Sequence, residues 1–353
     1  LCSKGTIGAL PGLDGPWTTS TAGTRLEGIG LERPGRGRAV PHDIVVGIDG
    51  STEGLAAAHW AAQEAQRRGA GLSVIHVWYR HPHPAPYVPM DSTERDWAEQ
   101  LLREAVRSIG AAHPGLRIAD RLVCDATVTA LLKAGADADL LVLGSRGLGA
   151  LGGFLTGSVS QRVVGRSTRP VVLVRAARSA ADEHLPATDG VAPEEIPKTP
   201  YRQVVLGLQT DRPCDELIEF AFDAARRRGT GLRVVHALRT AFRPAPVAPA
   251  PLVSVTAEGP APVPWPQAQA LADEERTVAA VLRPWREKYP TVPVTETVTE
   301  GRAAVVLVRA ARDAGLLVVG RRGIDHQVGV HTGPVTHAVL HHARCPVAVV
   351  PHD

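Results

Sequence analysis

The feature that most constrains this chain is that it repeats itself. DIVVGIDGSTEGLAAAHWAAQEAQRRGAGLSVIHVW (43–78) aligns without a gap to QVVLGLQTDRPCDELIEFAFDAARRRGTGLRVVHAL (203–238). ALLKAGADADLLVLGSRG (130–147) matches VLVRAARDAGLLVVGRRG (306–323), and STRPVVLV (167–174) matches ARCPVAVV (343–350). Each copy is a domain long, so the pattern is a duplicated domain and not a solenoid. It divides the chain into a first domain over 40–175, a linker over 176–199 and a second domain over 200–353. Residues 1–39, rich in Gly, Thr and Arg without periodicity, read as a disordered extension. Val40 is a candidate start residue, which the intact mass of natively expressed protein tests.

Each copy alternates short β-branched runs with helical patterns, the signature of a doubly wound α/β fold with a parallel sheet between helices. In the first copy the pattern predicts strands near 43–48, 72–77, 117–123, 139–143 and 171–174. The predicted helices lie near 52–68, 92–109, 127–136 and 157–166. Glu53 near the start of the first helix, with Arg67, Arg68 and Gly69 at its end, suits the helix dipole and a left-handed cap. In the second copy Asp211 and Pro213 open the equivalent helix, and Arg226–Arg228 with Gly229 close it. The Pro-rich insertion 243–267 reads as a surface loop.

A net charge of +3 with scattered basic residues argues against a nucleic-acid footprint, and no apolar run has the length of a membrane span. The four cysteines, Cys2, Cys124, Cys214 and Cys345, lie far apart with no C-x-x-C pair. That suggests neither a disulfide framework nor a zinc site and fits a reducing cytoplasm. The N-terminus lacks the apolar core of a signal peptide.

Chemistry concentrates in LLVLGSRGLGALGGFLTGS (140–158). Gly147, Gly149 and Gly152 match G-x-G-x-x-G, but a dinucleotide fingerprint follows the first strand and needs an acid about twenty residues on. Here it follows the fourth strand, and residues 171–174 are VVLV. The wider spacing Gly144-x2-Gly147-x9-Gly157-Ser158 works physically. Gly144 ends a strand, and GSRG can turn its N–H groups into an anion nest. Gly157 and Ser158 open the next helix, whose free N–H groups and dipole attract phosphate. Asp49, Gly50 and Ser51 end the first strand. If the first and fourth strands are neighbours, Asp49 faces the Gly144 turn across one crevice. Its carboxylate can accept from a ribose hydroxyl or hold a phosphate-bound Mg2+. The end of the second strand offers backbone groups near Val77 to an adenine edge.

This motif, with VVGIDGS at the start and RPVVLV at the end of a copy, resembles the universal stress protein family. The resemblance covers roughly 41–175 and 200–352 and points to tandem-domain members. It implies a five-stranded sheet of order 3-2-1-4-5 in each domain, ATP as ligand, and pairing through the last strand. That pairing gives an intramolecular pseudo-dimer through 171–174 and 347–350, with a homodimer between chains as a further option. Carried over, it puts adenine near Gly47, Asp49 and Val77. Ribose and phosphates would meet Gly144, Ser145, Arg146, Gly147, Leu148, Gly149 and Ala150, and then Ser158, Val159 and Ser160. The implied role is a stress-response or growth-arrest regulator that acts through an unidentified protein partner when ATP orders the 145–156 loop. The alternatives are a slow ATPase or nucleotidyl-transfer enzyme and a nucleotide-free scaffold. Arg146 can counter developing charge for the enzyme, but no base beyond Asp49 presents itself.

The second copy departs from the motif. Gly320-x2-Gly323-x9-Gly333 survives, but Pro334 stands for Ser158 and Gln209 for Asp49. Proline lacks the N–H and hydroxyl that a phosphate needs, and Gln209 cannot neutralise a metal. One strong site per chain follows, in the first half, with Arg321 and Arg322 as partial compensation in the second. His81 and His83, and His337 with His341, read as solvated residues without further metal ligands. Cys124 and Cys345 read as buried small residues, and Trp60 and Trp97 as core or interface contacts.

Overall fold

Apolar β-branched runs with no polar alternation are the mark of strands covered on both faces, and the central strands here are of that kind. The computed structural model describes residues 43–79, 90–145, 157–176, 183–185, 199–238, 265–323 and 332–352. The expectations for residues 1–39, His81 and His83 lie outside them. In the first copy the chain runs β1 (Ile44–Ile48), α1 (Thr52–Arg68), β2 (Leu72–Trp78), α2 (Met90–Ala112) and β3 (Ile118–Cys124). It continues through α3 (Thr127–Ala136), β4 (Leu140–Ser145), α4 (Ser158–Arg166) and β5 (Val171–Arg175). The second copy gives β6 (Val204–Gly207), α5 (Asp215–Arg228), β7 (Leu232–Leu238), α6 (Trp265–Lys288) and β8 (Val294–Glu300). It ends with α7 (Ala303–Ala310), β9 (Leu316–Arg322), α8 (Pro334–His342) and β10 (Val347–His352).

The strands form one ten-stranded sheet of order β3-β2-β1-β4-β5-β10-β9-β6-β7-β8. Within each copy the order is 3-2-1-4-5 and all pairs are parallel. The copies join where β5 and β10 pair antiparallel, with Val347 opposite Leu173, Ala348 opposite Val172 and Val349 opposite Val171. These residues are 0–3% exposed. The joint therefore removes two apolar edges that would template association with other chains. The edges left, β3 (IADRLVC) and β8 (VTETVTE), are half-buried and carry charges and threonines.

Helix α1 lies on the sheet through a stripe of small residues: Ala57, Ala58, Ala61, Ala62 and Ala65 are all fully buried. Small contact side chains let a helix come close to its neighbour, and this closeness shapes the site below. Ser51 caps α1 by accepting from the Gly54 N–H at 3.0 Å, and Gly69 closes it in the left-handed region at φ 63°. Gly229 closes α5 in the same way.

Several expectations need correction. Strand β4 does not end at Gly144, because Gly144 and Ser145 still pair with Val174 and Arg175. Helix α5 opens at Asp215, later than Asp211 and Pro213, with the Cys214 sulfur accepting from the Leu217 N–H. A residue before proline avoids the helical region, which holds Arg212 out of the helix. The Pro-rich insertion is not loop to its end, since residues 265–267 form the first turn of α6. Cys124 is exposed on the edge strand β3, whereas Cys345 is buried. Trp60 is in the core, but Trp97 is 63% exposed on α2.

The arginines read as dipole partners at the ends of α1 and α5 do more than that. Arg228 is buried and reaches from α5 to Glu64 on α1 at 2.9 Å, and Arg67 and Arg68 reach the same carboxylate at 2.9 and 2.7 Å. Glu183, between the copies, is 3% exposed and accepts from Arg67 at 3.0 Å and from the Trp60 indole N–H. Burial alone would push the Glu64 carboxyl up. The Arg228, Arg68 and Arg67 guanidiniums outweigh that and hold it well below the usual carboxylate range. The two copies are thus tied twice, by a strand pair and by a buried charge cluster. At the strand joint Arg175 donates to the Leu340 and His341 carbonyls at the end of α8, both at 2.8 Å. Arg321 does the reciprocal job for Ser167, at the end of α4. Cations there also meet the negative ends of the helix dipoles.

Candidate functional site

Strands β1 and β4 are neighbours, so their carboxyl ends open into one crevice, where ligands sit in a doubly wound sheet. A cavity of about 380 Å3 occupies it, within the range of small-molecule sites. Gly47, Asp49, Ser51, Val77, Gly144, Gly157, Ser158, Val159 and Ser160 all line it. Gly50 and Ser145 were expected there and do not. Gly50 makes the turn after β1 at φ 81°, and Ser145 is buried in β4. Arg146, Gly147, Leu148, Gly149 and Ala150 lie outside the described residues.

The lining residues divide by what holds them. Leu131 and Leu143 pack directly on Gly47, where a Cβ would come within 2.8 Å of their methyls. Ile75 and Val77 of β2 and Leu131 of α3 form an apolar wall of the cavity. Asp49 turns back on its own loop, where Oδ1 accepts from the Ser51 N–H at 3.0 Å and from the Ser51 hydroxyl. That turn sets the start of α1 and keeps the carboxylate at the cavity wall. At the opposite wall Gly157 precedes α4 with no side-chain cap. The first N–H groups of that helix therefore have no side-chain acceptor. A Cβ on Gly157 would meet nothing within 4 Å, so the backbone is open to approach.

Two of the expected ligand residues that line the cavity also have structural duties. A Cβ on Gly144 would lie 2.6 Å from the Glu53 carbonyl carbon and oxygen and 2.8 Å from the Gly54 nitrogen. Gly144 is there because the alanine stripe brings the first turn of α1 down onto β4. The Ser160 hydroxyl donates to the Gly144 carbonyl at 3.1 Å and anchors α4 to the sheet. Thr336 makes the same bond to Gly320 in the second copy at 3.0 Å.

Sequence reading missed Glu53, Gly54, Thr127, Leu131 and Leu143, which also line the cavity. Glu53 was visible only as an acid in a first helical turn. Its place beside Asp49 depends on how α1 docks. Asp49 and Glu53 thus bring two carboxylates to a cavity that the start of α4 also lines. Among the described residues no group of three or more His, Cys, Asp or Glu forms a metal site by itself. No helix among them is long and apolar enough to cross a membrane.

A family model described as the universal stress protein family matches residues 41–175 and 200–351. The chain belongs to the universal stress protein family. A universal stress protein of Mycobacterium tuberculosis is 33% identical over 317 residues, covering 87% of this chain and 96% of the relative. Another, from Mycolicibacterium smegmatis, is 29% identical over 325 residues, covering 88% and 98%. A crystal structure of a universal stress protein from Archaeoglobus fulgidus shares the fold. Its TM-score is 0.60 at 17% identity, over 89% of this chain and 99% of that one.

In this universal stress protein the second copy is not a shrunken version of the first. Its equivalent cavity is larger, about 700 Å3. Arg322, expected to compensate for lost charge, donates to the Gln209 side-chain oxygen at 2.7 Å. Arg321 is directed across the joint to the Ser167 carbonyl. Pro334 lines the cavity where Ser158 does in the first copy. His337 is exposed and His341 meets Gln161 of the first copy at 3.0 Å, so the pair sits at the joint and only His337 is a solvated residue.

Proposed function

We propose that the first copy binds ATP, with Mg2+ between the phosphates and the Asp49 and Glu53 carboxylates, and that occupancy governs contacts with a protein partner in a stress or growth-arrest response. The supporting observation is the cavity itself, which an apolar wall of Ile75, Val77 and Leu131 shares with the start of α4 at Gly157–Ser160, where no side chain caps the helix. The apolar wall suits a base, and the helix start suits phosphate. Family membership supports a nucleotide-associated regulatory role. The glycine motif assigns Arg146 and Gly147–Ala150 to the phosphates as well.

The experiment counts nucleotide released on denaturing natively purified chain, compared with Ser158→Glu. Ser158 is exposed in the first turn of α4, where an acid suits the helix dipole and leaves the fold intact. The same acid repels phosphate. The expected result is close to one nucleotide per wild-type chain and a loss of at least tenfold in the variant. Equal nucleotide in both, or none in the wild type, refutes the site.

A further inference from the structure

The two copies differ where the first helix of each meets the end of the second. In the gapless repeat His59 of α1 aligns with Glu219 of α5. Counting back from β3 and β8, Ala112 and His113 at the end of α2 stand where Lys288 and Tyr289 do at the end of α6. In the second copy these positions hold a cation. Lys288 donates to the Glu219 carboxylate at 2.6 Å, and the Tyr289 hydroxyl lies 3.5 Å from the same oxygen. The ammonium also suits the negative end of the α6 dipole. In the first copy the last turn of α2 has no basic residue, and an imidazole replaces the acid.

A pair of histidines occupies that place. His59 Nδ1 and His113 Nε2 are 3.4 Å apart, and the ring centroids are 5.6 Å apart, so the rings meet by their edges. The outer nitrogens have partners of their own: His113 Nδ1 lies 3.4 Å from the Gln66 side-chain oxygen, and His59 Nε2 lies 3.4 Å from the Ser108 hydroxyl. The Gln66 oxygen only accepts, so the His113 proton sits on Nδ1 and Nε2 presents its lone pair. The Ser108 hydroxyl can accept as well as donate, so His59 can carry its proton on Nε2 and present Nδ1 while staying neutral. Burial holds both imidazoles below the usual histidine range, which leaves them uncharged at neutral pH. His113 is buried and its N–H is bonded to the Ile109 carbonyl at 2.9 Å, whereas His59 is half-buried. One ring is therefore fixed and the other is open to water.

A tetrahedral Zn2+ sits about 2.0–2.1 Å from each imidazole nitrogen and so spaces two of them about 3.3–3.4 Å apart. We propose that His59 Nδ1 and His113 Nε2 bind a divalent transition-metal ion of the zinc type, which clamps α2 to α1 and supplies the cation that Lys288 supplies in the second copy. Partners on the outer nitrogens, as Gln66 and Ser108 are here, orient metal-bound histidines and fix their tautomers. Among the described residues no third His, Cys, Asp or Glu joins the pair, so water completes the coordination. Neither histidine lines the crevice at the strand ends, and the proposal is independent of what binds there.

The test is equilibrium dialysis of the full chain against Zn2+, with bound metal read by elemental analysis. At the same free zinc, wild type should hold one ion more than His59→Gln or His113→Gln, and the remaining histidines cancel in the comparison. Losing a group that only orients a ligand already costs about 10–100-fold in affinity, so losing a ligand should cost more than about tenfold. Ala112→Lys keeps both histidines and brings the second copy's cation to an exposed position. It should lose the same ion. In zinc-soaked crystals the anomalous peak should fall between His59 Nδ1 and His113 Nε2. Unchanged zinc in any of the three variants overturns the inference, as does an anomalous map with no peak at the pair.

Discussion

Glu64→Gln probes the charge cluster that ties the two copies. Glu64 is 1% exposed and accepts from three arginines at 2.7–2.9 Å, one of them, Arg228, on the other copy with a fully buried side chain. Glutamine keeps the shape but leaves Arg228 without a counter-charge. Breaking a buried pair by removing one partner costs about 3–5 kcal/mol. Set against a usual total stability of about 5–15 kcal/mol, that is a large fraction. With a urea slope of about 2–3 kcal/mol/M, the unfolding midpoint should fall by about 1–2 M. Glu64→Met combined with Arg228→Met removes both partners and should recover part of the loss. The pH dependence has a fixed sign. The folded carboxyl lies below its ordinary value of 4.5, so its contribution is complete above pH 4.5 and is lost as pH falls below it. Wild-type and Glu64→Gln stabilities should therefore converge on acidification. A midpoint shift worth less than about 1 kcal/mol at pH 7, or a double variant losing the sum of the two single losses, refutes the reasoning.

Gly144→Ala should lower the melting temperature by an amount worth about 1–3 kcal/mol, because its Cβ would press on the Glu53 and Gly54 backbone. Calorimetry showing an unchanged melting temperature would refute the packing constraint at Gly144. Ala348→Asp places an unpaired carboxylate at a fully buried position on the β5–β10 joint. It should open the joint and give self-association on size-exclusion chromatography, and a monodisperse, equally stable variant would count against the joint.

Much of the fold was legible because its signals are local. The apolar runs gave all five strands of the first copy to within two residues at either end, as at 72–77 against Leu72–Trp78. Gly69 and Gly229 gave helix ends through capping chemistry that needs no distant partner. Much of the site was legible too, because strand ends and helix starts in this topology must converge. Glu53 and Leu131 were not legible, since each is an ordinary helical residue until docking aims it. Gly144 and Ser160 line the cavity as expected, and their added packing duties were not legible because a glycine or serine serves a close approach or an anion equally well.

Sequence alone settled what the repeat, the periodicity and the caps settle: two α/β copies, their element order and the crevice at the strand ends. Those properties depend on neighbours along the chain, and a residue carries them wherever it is placed. Tertiary structure decided the rest. It showed that the Arg228 side chain is an inter-copy tie, that an alanine stripe forces a glycine at 144, and that the second copy holds the larger cavity. Each is a contact between segments far apart in sequence, whose energy depends on a distance that no local pattern encodes.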